Sequence, residues 1–311
     1  MLLELEKTIV GVVEKVVPSV VSVSTTRLAR IDLSRVVPLQ GQGSGVILAD
    51  DGLVVTNFHV VRGAQHVDVT LNNGRSLHAT VVGGSAIRDL AVLKINSATD
   101  HLTPIEFGDS KSLKVGQFAI AVGNPLGLGT TVTFGMVSAI DRTIKSREAF
   151  LEGLIQTTAQ INPGNSGGAL VDTEARLIGI PTAMIPWSQG IGFAIAIDGV
   201  KNVFDELVET GTIRTPWMGV VGVTLNRGIA AHYRLPVDKG ALIVQVPRGP
   251  ALRAGLKPGD VIVTVDGKKV TTMEALRSRI MRKKVGDNIK LRFNRGQKVL
   301  EVNLKLQEAP S

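Results

Sequence analysis

Residues 161–170 read INPGNSGGAL. Ser166 stands here among three glycines, a proline and two asparagines, and the apolar run Ala169-Leu170-Val171 follows at once. A lone serine hydroxyl is a poor nucleophile. It needs a base to take its proton and donors to hold the oxyanion it creates. Glycines around it let the backbone turn tightly and aim N–H groups inward. The segment GNSGG, residues 164–168, is therefore the setting that acyl transfer requires. The plainer reading of so short a pattern is a glycine-rich turn with a surface serine.

The other residue types separate these readings. The chain has five histidines, His59, His66, His78, His101 and His232, and four of them precede Ser166. In α/β-hydrolases the chain order is Ser, Asp, His, which leaves only His232, in a separate C-terminal module; in two-barrel proteases the order is His, Asp, Ser. His59 is the best base, because VVTNFHVV places it where a strand ends. His66 and His78 fall in polar turn or edge settings, and His101 lies in the loop SATDHLTP. Asp89, at the head of the apolar strand in IRDLAVLKI, is placed to be half buried and aimed at an imidazole.

Working outward, residues 43–197 hold many short β-rich runs. SGVILADDGLVVTN carries two apolar stretches around Asp50-Asp51-Gly52, a hairpin signal. HVDVTL, LHATVVG, DLAVLKI, QFAIAVG, TVTFGMVSAI, RLIGIPTAM and IGFAIAI continue the pattern. Strands at this density predict an all-β sandwich or a pair of barrels, and the lack of strand–helix alternation argues against a doubly wound sheet. From Asp198, the spacing of Val200, Val203, Phe204, Leu207 and Val208 predicts a closing helix stopped by Gly211. Beyond it, strands at 218–225, 241–246, 261–265, 289–293 and 298–306 and helices at 250–254 and 272–284 make a compact α+β module.

Charge marks the same division. Residues 1–212 carry 16 Lys/Arg and 20 Asp/Glu, a net −4, whereas residues 213–311 carry 19 and 7, a net +12. The expected organisation is an amphipathic helix segment at 1–20, a first domain at 21–212 and a second at 213–311. In the first segment Leu2, Leu5, Ile9, Val12 and Val16 recur at helical spacing. Glu4, Glu6 and Lys7 interrupt the apolar core that a secretory signal needs. A full-length chain would then be cytoplasmic, and a trimmed form periplasmic or otherwise extracytoplasmic. The absence of cysteine excludes disulfides and thiol catalysis.

TNFHVV, RDLAVLKI, GNPLGLGTTVTFGMVSAI and QTTAQINPGNSGGAL, in this order, resemble the HtrA (Deg) family of serine proteases. RTPWMGVVGV and GALIVQVPRGPALRAGLKPGDVIVTVDGKKV resemble a PDZ domain, and the two likenesses cover nearly the whole chain. The resemblance implies a mostly β fold, a chymotrypsin-like double β-barrel followed by one α+β PDZ domain. It assigns His59, Asp89 and Ser166 as triad and the backbone N–H groups of Gly164 and Ser166, across Asn165, as oxyanion hole. Asn165 takes the place where digestive relatives carry an acidic residue that pairs with a freed N-terminus, so switching would be conformational. At QTTA the family commonly has an acidic residue where Thr158 stands. By the same resemblance, Ile161, Ile191, Gly192, Phe193 and Ala194 wall the specificity pocket. With no acidic residue at its base, it suits small or medium aliphatic side chains. Trp217, Met218, Gly219 and Val220 would form the PDZ carboxylate loop, facing Met273 and Leu276 on the helix.

The function implied is that of an ATP-independent serine endopeptidase of protein quality control and stress response. Its partners would be unfolded proteins or peptides and further copies of itself, typically as a homotrimer. The first aromatic residue is Phe58, so the aromatic N-terminal contacts of some relatives are absent and the helix at 2–16 is left to carry trimerisation. No cofactor or metal is expected, since no HExxH motif and no P-loop occurs. The basic run RSRIMRKK, residues 277–284, reads as a solvated helix face. Without aromatic interleaving it gives no reason to expect nucleic acid, and membrane contact has no support. The competing class is a chaperone-like holdase or PDZ adaptor with a resting protease fold.

Overall fold

The computed structural model describes residues 2–30, 36–96, 101–125, 129–145, 150–162, 164–184 and 190–309. Pro163 of the opening stretch and residues 126–128 of GNPLGLG lie outside them. The chain divides into two units, Met1–Ile213 and Arg214–Ser311.

In the first unit, α1 (Leu2–Val16) precedes a closed barrel of β1 (Val20–Arg30), β2 (Val36–Ile47), β3 (Leu53–Thr56), β4 (His66–Thr70), β5 (Ser76–Ser85) and β6 (Leu90–Ile95). The barrel closes because β1 pairs antiparallel with both β2 and β4. The Asp50-Asp51-Gly52 turn joins β2 to β3, with Val46 opposite Val55. One short helix, α2 (Phe58–Val61), interrupts the strands and carries His59.

A second closed barrel follows: β7 (Phe118–Gly123), β8 (Thr131–Lys145), β9 (Phe150–Thr157), β10 (Ala169–Val171), β11 (Leu177–Met184) and β12 (Gly192–Ala196). It closes where β7 meets both β8 and β10. Leu154, Leu177 and Ile180 are fully buried in it, each a burial that contributes roughly 1.5–3 kcal/mol. The closing helix α3 (Ile197–Thr210) buries Ile197, Val200, Val203 and Leu207 and ends at Gly211, whose φ of 75° and N–H bond to Leu207 O form its C-terminal cap. Helix α1 seals the same core with Val12 and Val16, and Lys15 Nζ reaches Glu106 Oε2 at 2.8 Å.

The second unit is built on a sheet ordered β14 (Val221–Thr224), β15 (Ala241–Gln245), β16 (Val261–Val265), β18 (Asn288–Arg295) and β19 (Lys298–Lys305), with β17 (Lys268–Lys269) beside β16 and a small pair of β13 (Pro216–Trp217) and β20 (Gln307–Glu308). Its helices are α4 (Arg227–His232), α5 (Pro250–Arg253) and α6 (Met273–Met281). The strand expected at 218–225 is shorter, Val221–Thr224, with β13 lying before the expected span. Gly219 has φ +83°, a left-handed conformation no extended strand contains, so β13 ends before it and β14 begins after it. Buried Asp260, 1 % exposed, pairs through both oxygens with Arg295 at 2.7 and 2.8 Å. This ion pair ties the α5–β16 turn to β18.

Candidate active site

His59, Asp89 and the Ser166 turn come from three separate segments, and the packing of the two barrels brings them together. Strand β3 ends at Thr56, Asn57 stands at the N-cap position of α2, and His59 projects from α2 with half of its side chain exposed. Asp89 sits in the turn between β5 and β6 and is only 8 % exposed. Its φ is +52°, a conformation that non-glycine residues rarely adopt. Asn57, fully buried, holds it there by donating from Nδ2 to the Asp89 carbonyl at 3.0 Å.

The Asp89 carboxylate is satisfied on both oxygens. Oδ1 accepts the His59 backbone N–H at 2.9 Å, and Oδ2 lies 2.8 Å from His59 Nδ1. Thr182 Oγ1, on β11, donates to Oδ2 at 2.5 Å. A buried carboxylate is stable when charge-assisted bonds of this kind replace water. An ionised carboxylate only accepts, so Nδ1 is the donor in this bond, and in the neutral ring the lone pair is on Nε2. Local sequence pattern gives no sign of Thr182. It is one threonine in an apolar strand, 93 residues from its partner.

The serine turn packs directly on this assembly. The Ser166 carbonyl accepts the Ser44 N–H from β2 at 2.9 Å, and Gly167 N–H donates to Pro181 O at 2.9 Å. Gly167 has φ +82°, and a Cβ there would overlap the Ser44 carbonyl and come within 3.1 Å of Asn57 N. Only glycine lets the nucleophile turn approach the end of β3 this closely. Within the turn, Asn165 is 2 % exposed, and its amide bridges two backbone groups. Its Oδ1 accepts Asn162 N–H at 2.9 Å, and its Nδ2 donates to Gln160 O at 3.1 Å. The neutral amide thus fills both roles within the loop. Thr158 ties the end of β9 to β8, its N–H donating to Met136 O and its Oγ1 accepting Met136 N–H, each at 3.0 Å.

The expected pocket residues divide by the two-residue period of a strand. Ile161 and Ala194 share one buried cluster, and Gly192 lies against Ile161. Phe193 faces the opposite way, into the core that also holds Val12 and Ile180, with Ile191 packed on that side. His66, His78, His101 and His232 are all exposed. A 660 Å³ cavity lined by Phe107, Leu113, Phe118 and Arg176 contains none of the triad residues.

In the second unit Trp217, Met218, Gly219 and Val220 run from β13 into the edge strand β14, and Ala251 N–H fixes the Met218 carbonyl at 2.8 Å. Helix α6 is pinned beside β14: Met273 N–H donates to Thr224 Oγ1, which bonds Glu274 Oε2, both at 2.9 Å. Met273 is partly buried, whereas Leu276 is 1 % exposed and belongs to the core. In the basic run, Lys283 pairs with Asp266 at 2.7 Å and holds that carboxyl below its usual range.

With this geometry in hand, the likenesses to known proteins are informative. A trypsin-like peptidase domain family matches residues 43–180 and a PDZ domain family matches residues 216–306. The chain is 43 % identical over 272 residues to the periplasmic serine endoprotease DegP of Escherichia coli K12, covering 86 % of this chain and 57 % of that protein. It is 39 % identical over 326 residues to a probable periplasmic DegP-like serine endoprotease of Buchnera aphidicola, covering 96 % of this chain and 70 % of that one. The solved structure of the HtrA-type protease AlgW with a decapeptide superposes with a TM-score of 0.85 at 33 % identity, covering 97 % of this chain and 99 % of that one. The chain thus spans a little over half of the length of DegP.

Proposed function

The chain belongs to the HtrA-type serine proteases, with a trypsin-like peptidase domain followed by a PDZ domain, and from that premise we propose that it is an ATP-independent serine endopeptidase that degrades unfolded or damaged proteins. The observation that carries this reading is the His59 Nδ1–Asp89 bond at 2.8 Å, with the Ser166 turn packed through Gly167 against the same strand end. Ser166 Oγ attacks the peptide carbonyl while His59 Nε2 takes its proton. The N–H groups of Gly164 and Ser166 receive the oxyanion, and the imidazolium then gives the proton to the leaving amine. Water repeats the sequence on the acyl-enzyme, restoring Ser166. The test is cleavage of an unfolded, casein-like protein by the native chain and by Ser166→Ala. A native chain that only holds the protein in solution would favour the holdase reading instead.

The PDZ unit would take peptide or C-terminal segments by adding a strand to the free edge of β14, beside α6. The related AlgW structure contains a decapeptide, which supports peptide binding by such a chain. An expected outcome follows: a C-terminal peptide should change the cleavage rate of the native chain and leave that of residues 1–213 unchanged. A peptide without effect on either would remove the PDZ from control.

Self-association is proposed on a different surface from α1, whose Val12 and Val16 are already buried in the unit's own core. Phe118, Phe134 and Met136 are 39–43 % exposed on adjacent strands, the two rings 5.0 Å apart. Such a patch supports a homo-oligomer, the family's trimer among the arrangements. Sedimentation should show Phe134→Ser shifted toward monomer; a native monomer at micromolar concentration would remove the proposal. DegP is named a periplasmic protease and the Buchnera relative a probable periplasmic one, which supports the extracytoplasmic placement and not the cytoplasmic one. Among the described residues no helix is long and apolar enough to cross a membrane.

A further inference from the structure

Strand β2 passes under the nucleophile turn and contributes one polar side chain that the triad does not use. Ser44 is fully buried, and its polar groups reach three separate segments. Its N–H donates to Ser166 O at 2.9 Å, and its carbonyl accepts Thr56 Oγ1 at 2.7 Å. Its hydroxyl accepts Asn124 N–H at 2.8 Å and donates to Gly164 O at 2.5 Å. The direction is fixed by elimination. The Asn124 amide can only donate, so the one hydroxyl proton belongs to the Gly164 carbonyl.

Gly164 is where the turn has least resistance of its own. Its φ of +112° is open to glycine, which brings no side chain of its own to hold the following peptide and has Pro125 packed where a Cβ would stand. That peptide directs the Asn165 N–H to Asn162 O at 3.2 Å. Its two neighbours along the chain carry the Gly164 and Ser166 N–H groups. A rotation at 164 would therefore misalign both oxyanion donors. The restraint comes from outside the turn and from the other barrel: Ser44 lies on β2, whereas Asn124 follows β7 and the turn precedes β10. Without the hydroxyl, a part-buried carbonyl and a buried N–H both lose this partner.

We infer that Ser44 is a positioning residue for peptide hydrolysis: from the first barrel it fixes the Gly164 peptide plane and so pre-aligns the oxyanion donors of the second. The inference rests on the reading of Ser166 as nucleophile. Preorganised donors act on the transition state far more than on bound substrate, and this gives a signature different from lost stability.

Active sites of the native chain, Ser44→Ala and Ser166→Ala are counted by end-point labelling with a fluorophosphonate. Turnover of a fluorogenic peptide and inhibition by a peptidyl aldehyde are then measured per labelled site. For Ser44→Ala, kcat should fall about 10- to 100-fold with KM within about threefold. Aldehyde affinity should fall in step with kcat/KM, and the shape of the pH profile should persist because His59 and Asp89 are untouched. A merely structural role would lower the labelled fraction and the thermal midpoint and leave kcat per labelled site unchanged; that outcome overturns the inference. Cleavage and labelling that persist in Ser166→Ala overturn the nucleophile reading and the inference with it. Should Ser44→Ala not fold, Ser44→Cys carries the test, since it keeps a small side chain with a weak donor. Its kcat per labelled site should fall by less, and native turnover would overturn the proposal.

Discussion

Ser166→Ala is expected to lower kcat on an unfolded protein by about 10⁶-fold while the folded structure stays as it is. Ser166 lies in a turn held by backbone bonds: its carbonyl to Ser44 N–H, and the N–H groups of Gly167 and Gly168 to Pro181 and Asn165. Among the bonds of the described residues none is made by Ser166 Oγ, so its loss leaves no buried group unpaired. A nucleophile's bond to its base often tightens only with substrate bound. The thermal midpoint should therefore be unchanged, which separates lost chemistry from lost folding. His59→Ala should fall comparably, and the double variant should fall no further, because nucleophile and base act as one unit. Activity of the single variant above about 1 % of native would mean that another group attacks the carbonyl.

Much of this site is legible in local sequence, and the part that is not has a common cause. His59 ends an apolar strand, Asp89 heads one, and Ser166 sits in a glycine cluster; each carries a signal within a few residues. Thr182 and Ser44 carry none. Each is a small polar residue in an otherwise unremarked strand, and its partner lies 93 or 120 residues away. Their roles exist only once β11 and β2 are folded against the triad turns. Strand content was legible where apolar runs were dense, as in β6 and β7. It is not legible in β1, whose VVSVSTT alternates toward hydroxyl residues, or in β9, where Glu152 and Gly153 interrupt the run. The helix α4 has little to read in sequence, because its signal is one side chain, Asn226, accepting Ile229 N–H at 2.9 Å. The residues Ile191 to Ala194 divide between two faces, since a resemblance transfers a segment while alternation assigns each side chain.

Asp89→Asn is expected to lower kcat by about 10⁴-fold at neutral pH with KM little changed. The carboxylate takes donors on both oxygens, from His59 N–H, His59 Nδ1 and Thr182 Oγ1. An asparagine amide has one oxygen to offer and two protons to place. The backbone N–H of His59 cannot reverse its role, so the amide oxygen must stay on that side. The NH₂ group then faces Nδ1, which has to become an acceptor. This moves the ring proton to Nε2, and Nε2 can no longer take the proton of Ser166. Geometry is preserved while the tautomer is wrong. Thr182→Val should cost less, since it removes one donor from Oδ2 and leaves the Nδ1 bond in place. Proton NMR offers a direct check: the downfield Nδ1–H resonance of His59 should be present in the native chain and in Thr182→Val and lost in Asp89→Asn. If Asp89→Asn retains more than about a tenth of native kcat, the imidazole is oriented by something other than Asp89, and the buried carboxylate serves only to hold the β5–β6 turn in its left-handed conformation.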